Sequence, residues 1–409
     1  MVCGAGTYGG VMPHASLNVL RPALTAGLSA LLVGSLALTA CSSTPKAATK
    51  PAASQSTTTT AVAVATPAPF TAPGMPADLA AVIKPLYFGG AVRSSASVAG
   101  ALRQRRPVKA AGPVRAAVSV STFKGVPIAV VTSGRDVTLA VKAPRWKVVG
   151  GWWPSIGLGL AYLGGDRRIL LAGSDARPGQ PVNGSRADSL HIVAVDGHGG
   201  GGVLGIARDS YVSLATGGKG KINSALTFGG PSGLQRTVTS ASGVPLEGYA
   251  IIGFEGFKKT IDGIGGLPMK VPVTVVGAGA DVVIKAGPNK LTGRAALAYG
   301  RQRHTVVGGD FGRSANQGLL ILAAGGYAKL VGPLRLPRIL HVAAPNITTN
   351  LSAEQVLTFA AAVYVTNPRK VHNRVAAGGF GMTGDGQSIV LWDSQARHFF
   401  ADIRDGNLL

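Results

Sequence analysis

The sequence predicts an α/β fold from Asp166 onward, preceded by a small, basic, β-rich accessory unit. Three observations carry this. Apolar runs of strand length, bounded by charge and rich in β-branched residues, recur as RRILLAGSD, SLHIVAVD, GVLGIARDS and LEGYAIIGF. Amphipathic stretches with helix start and stop signals stand after them. Upstream, VPIAVVTS and DVTLAVKA read as strands in a region where the cations from Lys84 to Lys147 face a lone Asp136.

At 409 residues and 46% hydrophobic content the chain is long enough and apolar enough for a sizeable core. Its 40 basic residues against 17 acidic ones imply an anionic partner. Nucleic acid, an anionic lipid surface, a wall polymer and a phosphorylated substrate all satisfy that charge.

The N-terminus narrows the choice. Arg21 precedes the apolar run ALTAGLSALLVGSLALTA, which ends in Leu38-Thr39-Ala40-Cys41 and is followed by polar Ser-Ser-Thr. This resembles a bacterial lipoprotein signal, in which the cysteine is lipidated and becomes the first residue; an uncleaved membrane anchor is the alternative, a span needing about 20 apolar residues. Cleavage would leave Cys41 as the sole cysteine, since Cys3 lies in the leader. Either reading exports the body, which argues against an intracellular nucleic-acid partner.

Residues 1–41 are thus a signal or membrane segment, and residues 42–78, rich in Ser, Thr, Pro and Ala, a tether. Residues 79–160 form the basic accessory region, closed by RWKVVGGWWPSIG, and residues 161–409 the α/β body. Within the body FEGFKKTIDGI reads as a helix stopped at Gly265-Gly266. Further helices are expected at 292–301, 312–330 and 352–366, the last opening with a capping box of Ser352 and Gln355. RVAAGGFGM and GQSIVLWD read as the closing strands, separated by the turn Thr383-Gly384-Asp385-Gly386.

Charges gather at the ends of these strands. ILLAG runs into Ser174, Asp175 and Arg177, and Arg186 and Asp188 precede LHIVAV. If the two strands are antiparallel neighbours, Asp175 and Asp188 meet, and two carboxylates at close range call for a cation such as Mg²⁺. The other reading is that each Asp caps a turn. GVLGI ends in Ala207-Arg208-Asp209-Ser210, and YGRQRHTVVGGDFGRSANQ supplies Arg301, Arg303, Asp310 and Arg313 beside Gly308, Gly309 and Gly312. Arginine suits phosphate because its planar fork makes paired, charge-assisted hydrogen bonds. No phosphate loop of the G-x-x-x-x-G-K type, zinc motif or nucleophile elbow occurs, and His191 reads as a satisfied strand residue.

The pieces GSDAR (173–177), SRADSL (185–190), IARDS (206–210), GKIN (220–223), YAIIGFEGF (249–257), DGIGGL (262–267), LTGRAALAYGRQR (291–303) and GDFGR with Gln317 (309–317) occur in the order and spacing of one family. Over about 167–330 the chain resembles the LytR-CpsA-Psr family of Gram-positive wall glycopolymer ligases. It departs from the family pattern at Ala207, Ser314 and Asn316.

The resemblance implies a mixed central β-sheet flanked by helices on both faces, with a greasy channel for a polyprenyl chain and a polar mouth for its pyrophosphate. It implies Asp175 and Asp188 as the pair holding Mg²⁺ or Mn²⁺. Arg186, Arg208, Arg301, Arg303 and Arg313 are implied as the pyrophosphate set, with Asp310 orienting it or assisting proton transfer. Ser174, Asn223 and Gln317 are expected around the substrate, and Asp175, Arg208, Asp310 and Arg313 at the centre of the chemistry. The implied reaction joins a polyprenyl-pyrophosphate-linked glycan to peptidoglycan through a phosphodiester, on the outer face of the cytoplasmic membrane. Gly and Ala richness points to a high-GC, actinobacterial source. A polyprenyl-pyrophosphate hydrolase and a non-catalytic binder of lipid-linked glycan or wall polymer are the competing readings.

Overall fold

The computed structural model describes residues 70–107, 113–177, 179–277, 281–303 and 308–409. The expected leader, Cys41 and most of the tether lie outside them. Structure begins before Leu79: β1 (Phe70–Thr71) pairs in parallel with β2 (Val114–Arg115), and α1 (Ala77–Phe88) and α2 (Ala96–Arg103) stand between them. An antiparallel sheet follows, made of β3 (Ala117–Phe123), β4 (Val126–Ser133), β5 (Asp136–Lys142), β6 (Trp146–Trp153) and β7 (Leu158–Tyr162). Ala129 and Val131 of β4 pack with Leu79, Ile83 and Leu86 of α1. Ile128 and Val130 point the other way, toward α7 (Leu336–Ala343) and α8 (Ala353–Ala362). Both faces are covered, which is why VPIAVVTS reads as unbroken apolar sequence rather than alternation. The basic region therefore contains two helices beside its strands and shares a core with α7 and α8.

The central sheet is mixed, in the order β18-β13-β8-β9-β10-β19. It comprises β8 (Arg167–Ser174), β9 (Ala187–Val195), β10 (Gly201–Ile206), β13 (Gly248–Gly253), β18 (Ile347–Thr349) and β19 (Val371–Ala376). β8 and β9 are antiparallel, as the charge argument required, while β13 is parallel to β8 and β19 to β10. One face packs on α3 (Ser224–Ser242) and α9 (Ser394–Asp402) through Leu226, Leu234, Val238 and Phe400. The other is crossed by α6 (Gly309–Val331). α4 (Phe254–Gly263) and α5 (Gly293–Arg301) join α6 over two short ribbons, β14 (Leu267–Val271) with β17 (Gly287–Leu291) and β15 (Val275–Val276) with β16 (Val283–Ile284).

The helix signals are realised as hydrogen bonds: Thr292 accepts from the Ala295 amide, and Ser352 and Gln355 form the reciprocal box. RVAAGGFGM is split, because β19 joins the central sheet whereas β20 (Gly378–Met382) pairs with β21 (Ser388–Trp392) as a separate hairpin. A third ribbon, β11 (Tyr211–Ser213) with β12 (Lys219–Lys221), leads into α3.

α6 lies close against the sheet at Gly205 of β10, where a Cβ would lie 2.3 Å from Ser314 Oγ and 3.3 Å from His191 Nε2. Gly205→Val is therefore expected to lift α6 and to cost about 2 kcal/mol, within the usual range for overpacking. Urea denaturation checks this; unchanged stability would mean that the helix and sheet are not tightly apposed there.

Candidate functional site

One edge of the central sheet collects the C-terminal ends of β8, β10, β13 and β19 and the start of β9. Strand ends at such an edge are where open α/β sheets bind ligands. The β8–β9 pairing slips here: Gly173 faces Ser189 but Ser174 faces Ala187, leaving Asp188 as the extra residue of a bulge. Bulges re-aim side chains, and the Asp188 carboxylate meets Arg208 at the end of β10, with Nη1 to Oδ1 at 2.8 Å.

Across from it, the start of α6 carries Asp310 and Arg313 one turn apart. Asp310 is the hub. Its Oδ1 lies 3.0 Å from Arg303 Nε, and its Oδ2 lies 3.5 Å from Arg208 Nε and 3.4 Å from Arg313 Nη2. Asp209 is 3.7 Å from Arg208 and 3.1 Å from Lys221 Nζ. Three guanidiniums thus share one central carboxylate at the N-terminal end of a 23-residue helix, where unpaired amides and the helix dipole favour an anion.

Arg313 is 7% exposed. Burial pulls its guanidinium down from its ordinary value to about 10; Asp310 opposes this, and repulsion from Arg208 and Arg303 adds to it. Arg208 moves the other way: burial lowers its pKa, but the Asp188 hydrogen bond and the charges of Asp188, Asp209 and Asp310 outweigh that and raise it. Nε of Arg208 and Nε of Arg313 are buried without a hydrogen-bond acceptor among the described residues. The cluster thus holds spare donors and mutually repelling cations, an arrangement whose chemistry suits a multiply charged anion.

The remaining residues singled out in the sequence divide. Asp175 donates its amide to the Arg186 carbonyl and accepts the Arg186 amide at 2.7 Å, so it closes the β8–β9 end rather than touching an arginine side chain. The Arg186 side chain is exposed. Arg301 stacks on the Phe254 ring, 4.8 Å from its centroid. Ser174 is fully buried, bonded to Ser185 Oγ and the Ala176 amide, and supports the 175–185 loop from below. Asn223 acts through its backbone, its amide donating to the Arg208 carbonyl and its carbonyl accepting the Ala187 amide. Gln317 donates to the Gly300 carbonyl at 2.9 Å instead of facing the arginines.

That last contact belongs to a lock the sequence did not reveal. Four successive α6 residues are each held by a different bond: Ser314 O by His191 Nε2 (3.0 Å), Ala315 O by Asn373 Nδ2 (2.8 Å), Asn316 Oδ1 by Tyr299 OH (3.1 Å), and Gln317 by Gly300. Of the residues that depart from the family pattern, Asn316 thus serves the seating of α6 through its side chain, and Ser314 through its backbone carbonyl alone, its hydroxyl being buried without a partner among the described residues. The lock fixes the end of α5, with Arg301 and Arg303, against the start of α6. Tyr299→Phe is expected to weaken pyrophosphate binding about fivefold, from loss of one buried hydrogen bond worth about 1 kcal/mol. Combining it with Arg303→Ala is expected to add nothing further, whereas purely additive losses would show that Tyr299 does not act through Arg303.

His191 is fully buried, as a satisfied strand residue. Because the Ser314 carbonyl only accepts, Nε2 carries the proton, and Nδ1 accepts from Ser189 Oγ at 3.2 Å. Burial lowers its pKa from 6.5 to about 4. Between those values the unfolded chain binds a proton the native chain refuses, so stability present above pH 6.5 declines as pH falls toward 4. The loss approaches about 3 kcal/mol. Denaturation midpoints at pH 7.5, 6 and 4.5 test this, with His191→Gln expected to flatten the slope.

The LytR_cpsA_psr family profile matches residues 163–396. The chain is 33% identical over 182 residues to the probable cell wall biosynthesis protein LcpB of Corynebacterium glutamicum, covering 41% of this chain and 44% of that protein. It is 33% identical over 176 residues to the polyisoprenyl-teichoic acid–peptidoglycan teichoic acid transferase TagV of Bacillus subtilis, covering 41% and 45%. The matched stretch is thus less than half the length of these relatives. Among solved structures, the protein gbs0355 of Streptococcus agalactiae superposes with a TM-score of 0.51 at 20% identity over 60% of this chain and 90% of that one. TagT bound to LI-WTA does so with 0.50 at 21%, over 59% and 91%. Both likenesses concern the fold. With its profile match spanning more than half of the sequence, from the turn before β8 to the helix after the β20–β21 hairpin, the chain belongs to the LytR-CpsA-Psr family.

Proposed function

We propose that this protein is a phosphotransferase that moves a glycopolymer from a polyprenyl-pyrophosphate carrier onto a peptidoglycan hydroxyl, forming a phosphodiester. The observation that carries this reading is the Asp310 hub: Arg208, Arg303 and Arg313 around one carboxylate, with two buried Nε donors unsatisfied. TagV, whose name states transfer of a polyisoprenyl-linked polymer to peptidoglycan, is 33% identical to this chain over 176 residues, and the family profile spans the hub residues. Peptidoglycan lies outside the cell membrane, consistent with an exported protein held there by its N-terminal segment.

In the proposed reaction the pyrophosphate lies against the three arginines and the α6 N-terminus. The acceptor oxygen attacks the phosphorus bearing the glycan; the bond from that phosphorus to the bridging oxygen breaks, polyprenyl phosphate leaves, and the acceptor's proton passes to the leaving phosphate or to solvent. Such a transition state asks little covalent work of the protein, so charge stabilisation and positioning carry the rate. Asp310 orients the set: both of its oxygens are already engaged by guanidiniums, which leaves it poorly placed to take the acceptor's proton.

Asp175 and Asp188 fit a divalent cation of the Mg²⁺ type. Each has one carboxylate oxygen engaged, by the Arg186 amide and by Arg208, and a second oxygen without a partner among the described residues. An ion of this type takes one or two carboxylates and completes its shell with water and phosphate; no group of three or more acidic, His or Cys ligands occurs among the described residues. When bound, such an ion would neutralise charge on the pyrophosphate oxygens.

The test incubates the protein with a short glycan on polyprenyl pyrophosphate and with peptidoglycan oligomers, with and without Mg²⁺. A phosphodiester-linked product is expected, dependent on metal and lost in Asp175→Ala. Release of glycan phosphate alone would identify a hydrolase, and metal-independent binding without turnover a binding protein.

A further inference from the structure

Most of the large apolar side chains left exposed in the described structure sit on three segments that border the arginine cluster. Phe228 (70% exposed) is on α3; Val273 and Val283 are on the β15–β16 ribbon and its approach; Phe380 (73%), Met382 (69%) and Leu391 are on the β20–β21 hairpin. Each segment is tied to a neighbour of a site arginine. Thr227 donates to the Ser185 carbonyl at 2.9 Å, beside Arg186. The Gln302 side chain, between Arg301 and Arg303, donates through Nε2 to the Val276 carbonyl. Val390 donates to the Asp209 carbonyl at 2.9 Å, beside Arg208, and Phe380 stacks at 5.6 Å on Phe311, next to Asp310. The apolar side chains therefore stand on segments bonded to or stacked against those that carry Arg186, Arg208, Arg303 and Asp310, and we take these segments as the rim of the site's mouth.

Cations stand among them. Lys219, on the ribbon packed between α3 and β21, and Lys285, directly after β16, are exposed and make no ion pair among the described residues, as are Arg177 and Arg186 beside the mouth. Of the two carboxylates on these segments, Asp281 is paired with Arg294, and Asp385 is taken up by Thr383 and Gln387 in its own turn.

Aliphatic and aromatic tips flanked by Lys and Arg match the boundary of an anionic bilayer, where apolar groups enter below the headgroups and cations meet lipid phosphates. A sugar-binding surface would instead present flat rings backed by polar side chains. A mouth of this chemistry, lying around an anion site, implies that the anion arrives on a lipid.

We infer that the rim formed by Phe228, the β15–β16 ribbon and the β20–β21 hairpin docks the mouth of the arginine site onto an anionic lipid surface, so that a carrier pyrophosphate enters without leaving the interface. The second clause rests on the transferase reading; the docking does not. An N-terminal anchor would hold the chain near a membrane in any orientation, whereas the rim sets one orientation.

The experiment uses the full chain with Cys3→Ser and Cys41→Ser, which removes its only two cysteines. Single cysteines are then introduced by Phe228→Cys, Val283→Cys or Met382→Cys, with Leu160→Cys and Val120→Cys as controls, and spin-labelled on phosphatidylglycerol–phosphatidylcholine vesicles. The three rim labels are expected to collide several-fold more with oxygen, relative to a water-soluble nickel chelate, than the two controls. This contrast should shrink on pure phosphatidylcholine. Rim labels as aqueous as the controls would overturn the proposal, as would rim labels that respond to soluble peptidoglycan oligomers and not to vesicles. Inorganic pyrophosphate binding measured on the same samples separates the two ideas: immersed labels with no pyrophosphate binding defeat the transferase reading alone, and aqueous labels with intact binding defeat the docking alone. Phe228→Ser with Met382→Ser is further expected to slow turnover of a vesicle-held carrier about tenfold and to spare a short, water-soluble one; equal effects on both would also count against docking.

Discussion

Asp310→Asn is expected to destabilise the fold by about 2 kcal/mol at neutral pH and low salt, and added inorganic pyrophosphate is expected to restore most of the loss. Removing one partner from a fully buried ion pair costs about 3–5 kcal/mol because the other charge is stranded. Here Asp310 is 26% exposed, so water screens part of the penalty, but three guanidiniums lose their shared counter-charge at once. An asparagine keeps the shape and one acceptor oxygen, which confines the change to charge. A pyrophosphate supplies negative charge in the same place, and the variant's stability will rise more steeply with its concentration than that of the parent protein. Urea titrations with and without pyrophosphate make the measurement. A variant as stable as the parent, or one that pyrophosphate does not rescue, would show that the arginines are not confronting one another around Asp310.

Arg313→Ala is expected to lower turnover by about 10²–10³ while leaving folding stability unchanged or slightly higher. The rate loss follows from analogy with the removal of one preorganised donor to a developing oxyanion. The stability expectation follows from the position of Arg313 itself, a buried cation repelled by Arg208 and Arg303 and held by a single 3.4 Å contact to Asp310. Its guanidinium is held against burial and like-charge repulsion by Asp310. Arg313→Lys is expected to recover little, because an ammonium lacks the planar fork that pairs two phosphate oxygens. Parallel thermal melts and product assays decide the matter, and activity lost only in proportion to stability would make Arg313 a structural residue.

Much of this was legible in the linear sequence, for local reasons. Strand-length apolar runs marked β4, β5, β8, β9, β10 and β13, and the capping box of Ser352 and Gln355 marked α8, because a cap is a hydrogen bond between residues three apart. α3 escaped because Gly230 and Pro231 break its pattern, and the helix is kinked there, with Gly230 at φ 61°. α1 carries an internal proline, Pro85, and was submerged in a region whose charge drew more notice than its periodicity. The split of RVAAGGFGM between two sheets has no local signal, since both halves are extended and only their partners differ.

The site divides in the same way. The sequence by itself determined which charged groups belong together: arginines with few acids near them, at strand ends and in an ordered set of motifs, already specified a family and an anionic ligand, because charge is carried by residue identity. Only the tertiary structure decided which of those groups touch. It placed Asp310 at the centre of Arg208, Arg303 and Arg313, drew in Asp209 and Lys221, laid Arg301 on Phe254, and turned Gln317, Ser314 and Asn316 away into the seat of α6. Those outcomes depend on a one-residue bulge at Asp188 and on the crossing of α6 over Gly205. Both are set by packing between segments distant in the chain, and no local pattern encodes the direction in which a side chain points once two such segments meet.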